Sequence, residues 1–255
     1  MLRSRIIPCL LIHKNGLVKT INFKDPKYVG DPINAVKIFN EKEVDELMVL
    51  DIDASIEGRN PNFELIKNLA IECRMPFCYG GGVKTVEHAK KIISLGAEKV
   101  ALSSAALSNP DILKSIGNAV GVQSVVVVVD IRKKKLFGGY ELVSHNAKKS
   151  SSIKIPEFLN KINEIGIGEL VVNSVDDDGR MTGFDFKLFD FFRENTDMPM
   201  TIVGGAGSLA HIKDAIYHYK TIGVSAGSLF VFKGKYRAVL INYPSFDERT
   251  DLYQL

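Results

Sequence analysis

The chain has 255 residues, 45% of them apolar and 25% charged, with 33 basic against 30 acidic side chains and three cysteines. That length suits one large domain or two small ones, with a sizeable buried core. The even charge excludes the concentrated basic face of a nucleic-acid binder, and Cys9, Cys73 and Cys78, with no CxxC pair, exclude a disulfide framework and a paired metal site.

Apolar runs predict eight strands, at residues 5–11, 46–51, 76–79, 98–103, 124–130, 169–174, 199–203 and 222–226. Amphipathic helical patterns lie between them, among them residues 85–95 and 209–219. Strand–helix alternation implies an α/β fold with a parallel sheet covered by helices. Eight units make a (β/α)8 TIM barrel, for which about 250 residues is typical. A doubly wound sheet is the alternative; the absence of GxGxxG after the first strand and of a Walker A loop counts against it. The longest apolar run, residues 125–129, is too short to span a bilayer, and residues 1–12 carry no small-residue cleavage site. The expectation is a cytoplasmic protein with no membrane or nucleic-acid partner.

The chain repeats itself. Met75-Pro76 returns as Met198-Pro199, and the same offset pairs Asp53 with Asp176, Gly81-Gly82 with Gly204-Gly205, His88 with His211, and Ala105 with Ser228. This predicts one barrel over residues 1–255, built from half-barrels of about 1–122 and 123–255.

Side chains alternate along a strand, so every second residue faces the barrel interior. The inward sets are Arg5, Ile7, Cys9, Leu11; Glu46, Met48, Leu50; Lys99, Ala101, Ser103; Val126, Val128, Asp130; and Glu169, Val171, Asn173. Charges fall at the N-terminal ends, apolar residues in the middle and polar groups at the C-terminal ends. Arg5, Glu46, Lys99 and Glu169 are balanced in sign, which favours a closed salt-bridge ring over four separately solvated ends.

Barrel enzymes place their chemistry at the C-terminal ends of the strands. There the glycine turns after the third and seventh strands, with hydroxyls after the fourth and eighth, offer two phosphate cradles: Gly81, Gly82 and Ser104 in one half, Gly205 and Ser228 in the other. They imply a ligand carrying two phosphates. Asp130, ending the fifth strand, is the first candidate for acid–base work; Asp176 and Asp178 are second candidates. Asp51 reads as structural and Asp177 as a cap or solvated turn. Residues 13–31 form a long loop carrying Lys14, Lys19, Lys24 and Lys27, and Lys19 could reach a phosphate. Arg132-Lys133-Lys134-Lys135 reads as a solvated loop, His88 and His211 as packing or surface residues, and no metal or cofactor is implied.

These features resemble the cyclase subunit of imidazole glycerol phosphate synthase (HisF) over essentially the whole chain. The resemblance is carried by RIIPCL, DELMVLDIDASIEGR, YGGGV, GAEKVALSSAAL, VVVVVDIR, GELVVNSVDDDGRMTGFD and VGGAGSL. It implies a HisH-type glutaminase docked at the barrel bottom, ammonia passing through the interior, and attack at the top on a bisphosphorylated ribonucleotide. It further implies that Arg5, Glu46, Lys99 and Glu169 form the ammonia gate and that Asp130, Asp178 and Lys19 are catalytic. Phosphate binding would fall to Gly81, Gly82, Ser103, Ser104, Gly179, Gly205, Gly227 and Ser228.

One departure stands out: the family's other catalytic aspartate ends the first strand, where this chain has Leu11. Ser103 and Asn173 also replace the usual asparagine and threonine, and Ser144-His145-Asn146-Ala147 lacks the usual glycines. With CLLIHKNGLVKT and FKDPKYVGDPINAV, the pattern is similar to a HisF-like branch associated with acetamidino modification of bacterial surface sugars, alongside a glutaminase and a separate amidotransferase. The expected role is therefore ammonia delivery. The alternatives are a working cyclase in which Asp130 and Asp178 suffice, and a non-catalytic scaffold that activates its glutaminase.

Overall fold

A computed structural model describes residues 3–134 and 138–254. The first third contains β1 (Arg5–His13), β2 (Gly16–Ile21), β3 (Lys24–Gly30), α1 (Pro32–Glu41), β4 (Leu47–Asp51), α2 (Phe63–Glu72), β5 (Phe77–Gly80) and α3 (Val86–Ser94). Then come β6 (Lys99–Leu102), α4 (Ser104–Ser108), α5 (Asp111–Val120), β7 (Val125–Lys133), β8 (Tyr140–Ser144), β9 (Lys149–Ser150) and α6 (Ile155–Ile165). The remainder is β10 (Glu169–Ser174), α7 (Phe186–Glu194), β11 (Met200–Val203), α8 (Leu209–Tyr219), β12 (Gly223–Ala226), α9 (Ser228–Val231), β13 (Phe232–Lys233), β14 (Ala238–Val239) and α10 (Phe246–Tyr253).

Eight of these strands run parallel in the order β10-β11-β12-β1-β4-β5-β6-β7, and β7 pairs with β10 to close the barrel. The fold is a (β/α)8 barrel. Closure sorts the apolar side chains into two cores. Outward residues such as Ile6, Leu10, Val127, Val129, Leu170 and Val172 pack beneath the helices in one cluster. Inward residues Ile7, Cys9, Met48, Cys78, Ala101, Val126, Val128, Val171 and Val203 form a second, with Leu11 and Leu50 against it. Strands buried on both faces read as unbroken β-branched runs, which is why residues 125–129 are five valines. Local signals agree with the elements: Asp31, Asn62, Thr85, Asp185 and Ser208 each accept a backbone N–H at a helix start.

Three segments differ from the sequence reading. The loop of residues 13–31 is a β-hairpin, β2–β3, whose first strand pairs antiparallel with β1 through Leu11 and Val18. Its turns place Lys14 and Asn15, then Asn22 and Phe23, at positive φ, the pairing that joins tightly turned strands. Similarly, β7 runs past the barrel rim, so Arg132 and Lys133 are strand residues and not loop. Arg132 bonds Glu141 across β8, at 2.9 and 3.1 Å, and Lys133 pairs with Asp185 at 2.8 Å. Lys135 lies outside the described residues.

The third difference is the last helical layer. After β12 the chain makes only the one-turn α9, then the β13–β14 hairpin and an extended run to α10. Ser245 and Glu248 start α10 with a reciprocal capping box. Tyr243 in that extended run anchors to β1 by donating its hydroxyl to the Ile6 carbonyl at 2.8 Å. No described helix is long and apolar enough to cross a membrane.

Candidate functional site at the barrel top

A cavity opens at the C-terminal ends of the strands. Cys9, Met48, Ala101, Val128, Val171 and Val203 line its floor, and all six belong to the inward apolar cluster, so the cavity continues into the barrel interior. Its walls include Lys19, Asp130, Asp178, Asn173, Leu11 and Leu50. Strand alternation accounts for this placement: Leu11, Leu50, Asp130 and Asn173 continue the inward phase of their strands to the top of the barrel.

Asp130 faces the cavity with Oδ1 accepting from the Asn173 side-chain amide at 3.0 Å. Burial raises its carboxyl to about 7, with the charge of Asp178 adding to the rise and the Asn173 bond opposing it. It is therefore divided between its acid and base forms near neutral pH. Burial also raises Asp178, against the pull of Lys19 and a 3.0 Å bond from the Thr20 hydroxyl. Lys19 reaches in from β2, donates to the Cys9 carbonyl and lies against Gly227; burial lowers its pKa. Two polar atoms of the cavity, Ser103 Oγ and Asn173 Oδ1, are buried with no partner among the described residues, an arrangement that a polar ligand would satisfy.

Residues of both expected phosphate cradles line the cavity. Gly81, Gly82, Ser103 and Ser104 line the cavity on one side, and Gly227 and Ser228 on the other. Gly81 has φ 121°, and a Cβ there would stand 2.6 Å from the Asp51 carbonyl, so only glycine fits. Gly205 and Gly179, by contrast, do not line the cavity. A Cβ at Gly205 would meet the Gly183 carbonyl and one at Gly179 the Thr20 carbonyl, so both positions are held to glycine. The packing around the glycines follows the internal repeat: a Cβ at Gly82 would meet the Arg59 carbonyl as one at Gly205 meets that of Gly183.

The remaining acidic residues sort as their bonds dictate. Asp51 accepts the Asp53 and Ala54 N–H groups at 3.0 Å and is structural. Asp176 points away to the Lys133 N–H at 2.7 Å, so it is not a second acid–base candidate. Asp177 accepts from Ser174 at 2.6 Å. Of the histidines, His88 packs edge-on to Phe63, and His211 accepts the Gly207 N–H at 3.2 Å. Sequence reasoning missed Thr20, Phe23, Ser55, Ile56, His145 and Asn146 as cavity residues. Thr20 lies on β2, which the sequence reading took for loop, and the others sit on turns and on the β8–β9 hairpin, where neither alternation nor spacing predicts direction; a turn with positive φ at His145, Asn146 and Ala147 leaves no signature in those residue types.

At the opposite mouth the four inward charges meet. Arg5 bonds Glu46 and reaches Glu169 at 2.8 Å, and Lys99 holds Glu46 and Glu169 at 2.8 Å each. Thr201 donates a further bond to Glu169. Burial alone would raise Glu169, but Arg5 and Lys99 hold it below the ordinary carboxylate value, while the two carboxylates hold both cations above theirs. The four side chains close the lower end of the interior as one bonded ring.

The family model described as "Histidine biosynthesis protein" matches residues 5–237. A Vibrio vulnificus protein named "Putative imidazole glycerol phosphate synthase subunit hisF3" is 52% identical over 100% of this chain and 98% of its own length. A Pseudomonas aeruginosa subunit of the same description, hisF2, is 50% identical over 97% and 98%. The imidazole glycerol phosphate synthase subunit HisF of Lactococcus lactis is 36% identical over 90% of this chain and 89% of its own. The chain belongs to the histidine biosynthesis protein family, as a HisF-like barrel.

Proposed function

We propose that this protein is the barrel subunit of a glutamine-dependent amidotransferase complex. It takes ammonia from a HisH-type glutaminase at the lower mouth and delivers it through the interior to the top, for acetamidino modification of a bacterial surface sugar such as that of an O-antigen. A separate amidotransferase would complete the transfer. The observation that carries this reading is Leu11, which lines the cavity where paired acid–base chemistry with Asp130 requires a second carboxylate.

The interior supports delivery of neutral ammonia. An apolar passage lined by Ile7, Met48, Ala101, Val126 and Val171 excludes ammonium, because an unpaired ion there lacks hydration. The cations Arg5 and Lys99 at the entrance add to that exclusion. At the top, Lys19, Ser104 and Ser228 offer an ammonium and two hydroxyls to a phosphorylated ligand, and Asp130 offers a carboxyl able to take or give a proton near neutral pH.

Asp130 and Asp178, still in the cavity with raised pKa values, favour one alternative: a working imidazole glycerol phosphate synthase cyclase. The assay that separates the two supplies the purified chain with ammonium chloride and the histidine-pathway bisphosphate substrate. Delivery without cyclisation predicts turnover at least about 100-fold below that of a family cyclase, the order of loss expected when an acid–base group is removed. Turnover at ordinary cyclase rates would establish the cyclase. The scaffold alternative is separated by Asp130→Asn, which would leave amidination by the assembled complex unchanged only if the barrel top takes no part.

A further inference from the structure

The C-terminal segment builds a second recess, at the lower face and beside the charge ring. Residues 238–255 lie beyond the family match, yet the half-identical Vibrio relative aligns over the whole of this chain. In place of an eighth long helix, the segment descends the barrel wall and sets α10 across the loops that precede β1, β4 and β5. There Phe246, Arg249 and Tyr253 meet Arg3, Asp45 and Arg74 around an open recess of about 570 Å³. Asp45 immediately precedes Glu46 of the ring, and Arg3 lies two residues before Arg5, so recess and ring share one face.

The charges of the recess are unevenly satisfied. Asp45 is saturated: it accepts from Arg3 at 3.3 Å, from the Ile6 N–H at 2.9 Å and from the Tyr253 hydroxyl, with Arg249 Nη1 at 3.8 Å. Arg249 is the opposite case. Its residue is 8% exposed, its Nη1 donates to the Glu43 carbonyl, and its Nε is buried with no partner among the described residues. A guanidinium so far desolvated, with donors left over, is costly until an acceptor engages it. Arg74 stands exposed on the same rim with Phe246, itself 73% exposed.

We infer that this recess receives an acidic side chain of the glutaminase subunit, with an apolar neighbour covering Phe246. A carboxylate fits the fork geometry of Arg249 and the charge of Arg74, and its seat beside the ring fixes the partner over the entrance to the interior. The pocket thereby selects which glutaminase this barrel accepts, since the segment that forms it lies outside the common family core. The inference rests on the glutaminase reading above.

The test titrates the full-length chain with the HisH-type glutaminase of its own genome in a calorimeter. Arg249→Gln, Arg74→Glu and Phe246→Ala are each expected to weaken binding tenfold or more, while Lys114→Ala, exposed on α5, changes it less than threefold. Arg74 and Phe246 are exposed, so their variants report on docking even if Arg249→Gln fails to fold. Full-affinity binding by Arg74→Glu and Phe246→Ala overturns the pocket while leaving the glutaminase reading intact. No binding by the parent chain overturns both. A homodimer of the free chain that Arg74→Glu dissolves would assign the recess to a second copy and overturn the inference.

Discussion

Replacing Asp130 with asparagine should stabilise the protein, and by an amount that depends on pH. The carboxyl's ordinary value is 3.8 and burial holds it at about 7 in the folded state, so the native chain binds more protons than the unfolded chain between those limits. Stability therefore falls as pH rises through that window, and the loss is complete above pH 7. The shift of about 3 units corresponds to about 4 kcal/mol. The carboxyl faces an open cavity and not a sealed core, so we expect about 2–4 kcal/mol of gain for Asp130→Asn at pH 8, shrinking to below about 1 kcal/mol at pH 4. For a chain of this size that is a rise in Tm of about 4–16 °C at pH 8. Asparagine keeps the shape and an oxygen for the Asn173 amide, so packing is preserved. Because the chain has no tryptophan, urea unfolding is followed by far-UV circular dichroism at pH 4, 6 and 8. A gain that is absent, or the same at all three values, would refute a carboxyl held protonated by its surroundings.

Further expectations concern both mouths of the barrel. Lys99→Ala leaves Glu46 and Glu169 facing Arg5 alone, which should cost about 2–4 kcal/mol in chemical denaturation without loss of the fold. In the complex it should uncouple glutamine consumption from product; unchanged coupling would make the ring a structural cap. Leu11→Asp puts a carboxylate into the cavity with Asp130, and we expect ammonia-dependent cyclase turnover at least about tenfold above the parent, measured as imidazole glycerol phosphate formed. Ser104→Glu sets a negative charge at the open cradle and should weaken binding of a bisphosphorylated ribonucleotide by about tenfold or more in equilibrium dialysis. Equal binding would place the phosphate elsewhere.

Much of this architecture is legible in the residues because alternation is a strong constraint. Once residues 5–11, 46–51 and 169–174 are read as strands, period two sends Arg5, Glu46 and Glu169 to one mouth and Leu11, Leu50 and Asn173 to the other. The β2–β3 hairpin was less legible: its turn uses Asn22-Phe23 in left-handed conformations with no glycine, although Asn15-Gly16 marks the preceding β1–β2 turn. The glycine pairs were legible for a related reason: a Cβ at Gly82 would meet the Arg59 carbonyl and one at Gly205 the Gly183 carbonyl, so the repeat carries the same close backbone approach into both halves. The replacement of the eighth helix by Tyr243 and α10 was hidden, because an extended anchor on the outer wall has no period.

On the proposed function, nitrogen travels inside the barrel. That passage is tested most directly by supplying the assembled complex with glutamine labelled with nitrogen-15 at the amide, in the presence of a large excess of unlabelled ammonium, and measuring the label in the amidinated product by mass spectrometry. Passage from the charge ring to the cavity of Asp130 predicts product labelled from glutamine almost completely, with Lys99→Ala reducing that fraction. Product whose label matches the mixed solution pool would rule out passage through the barrel.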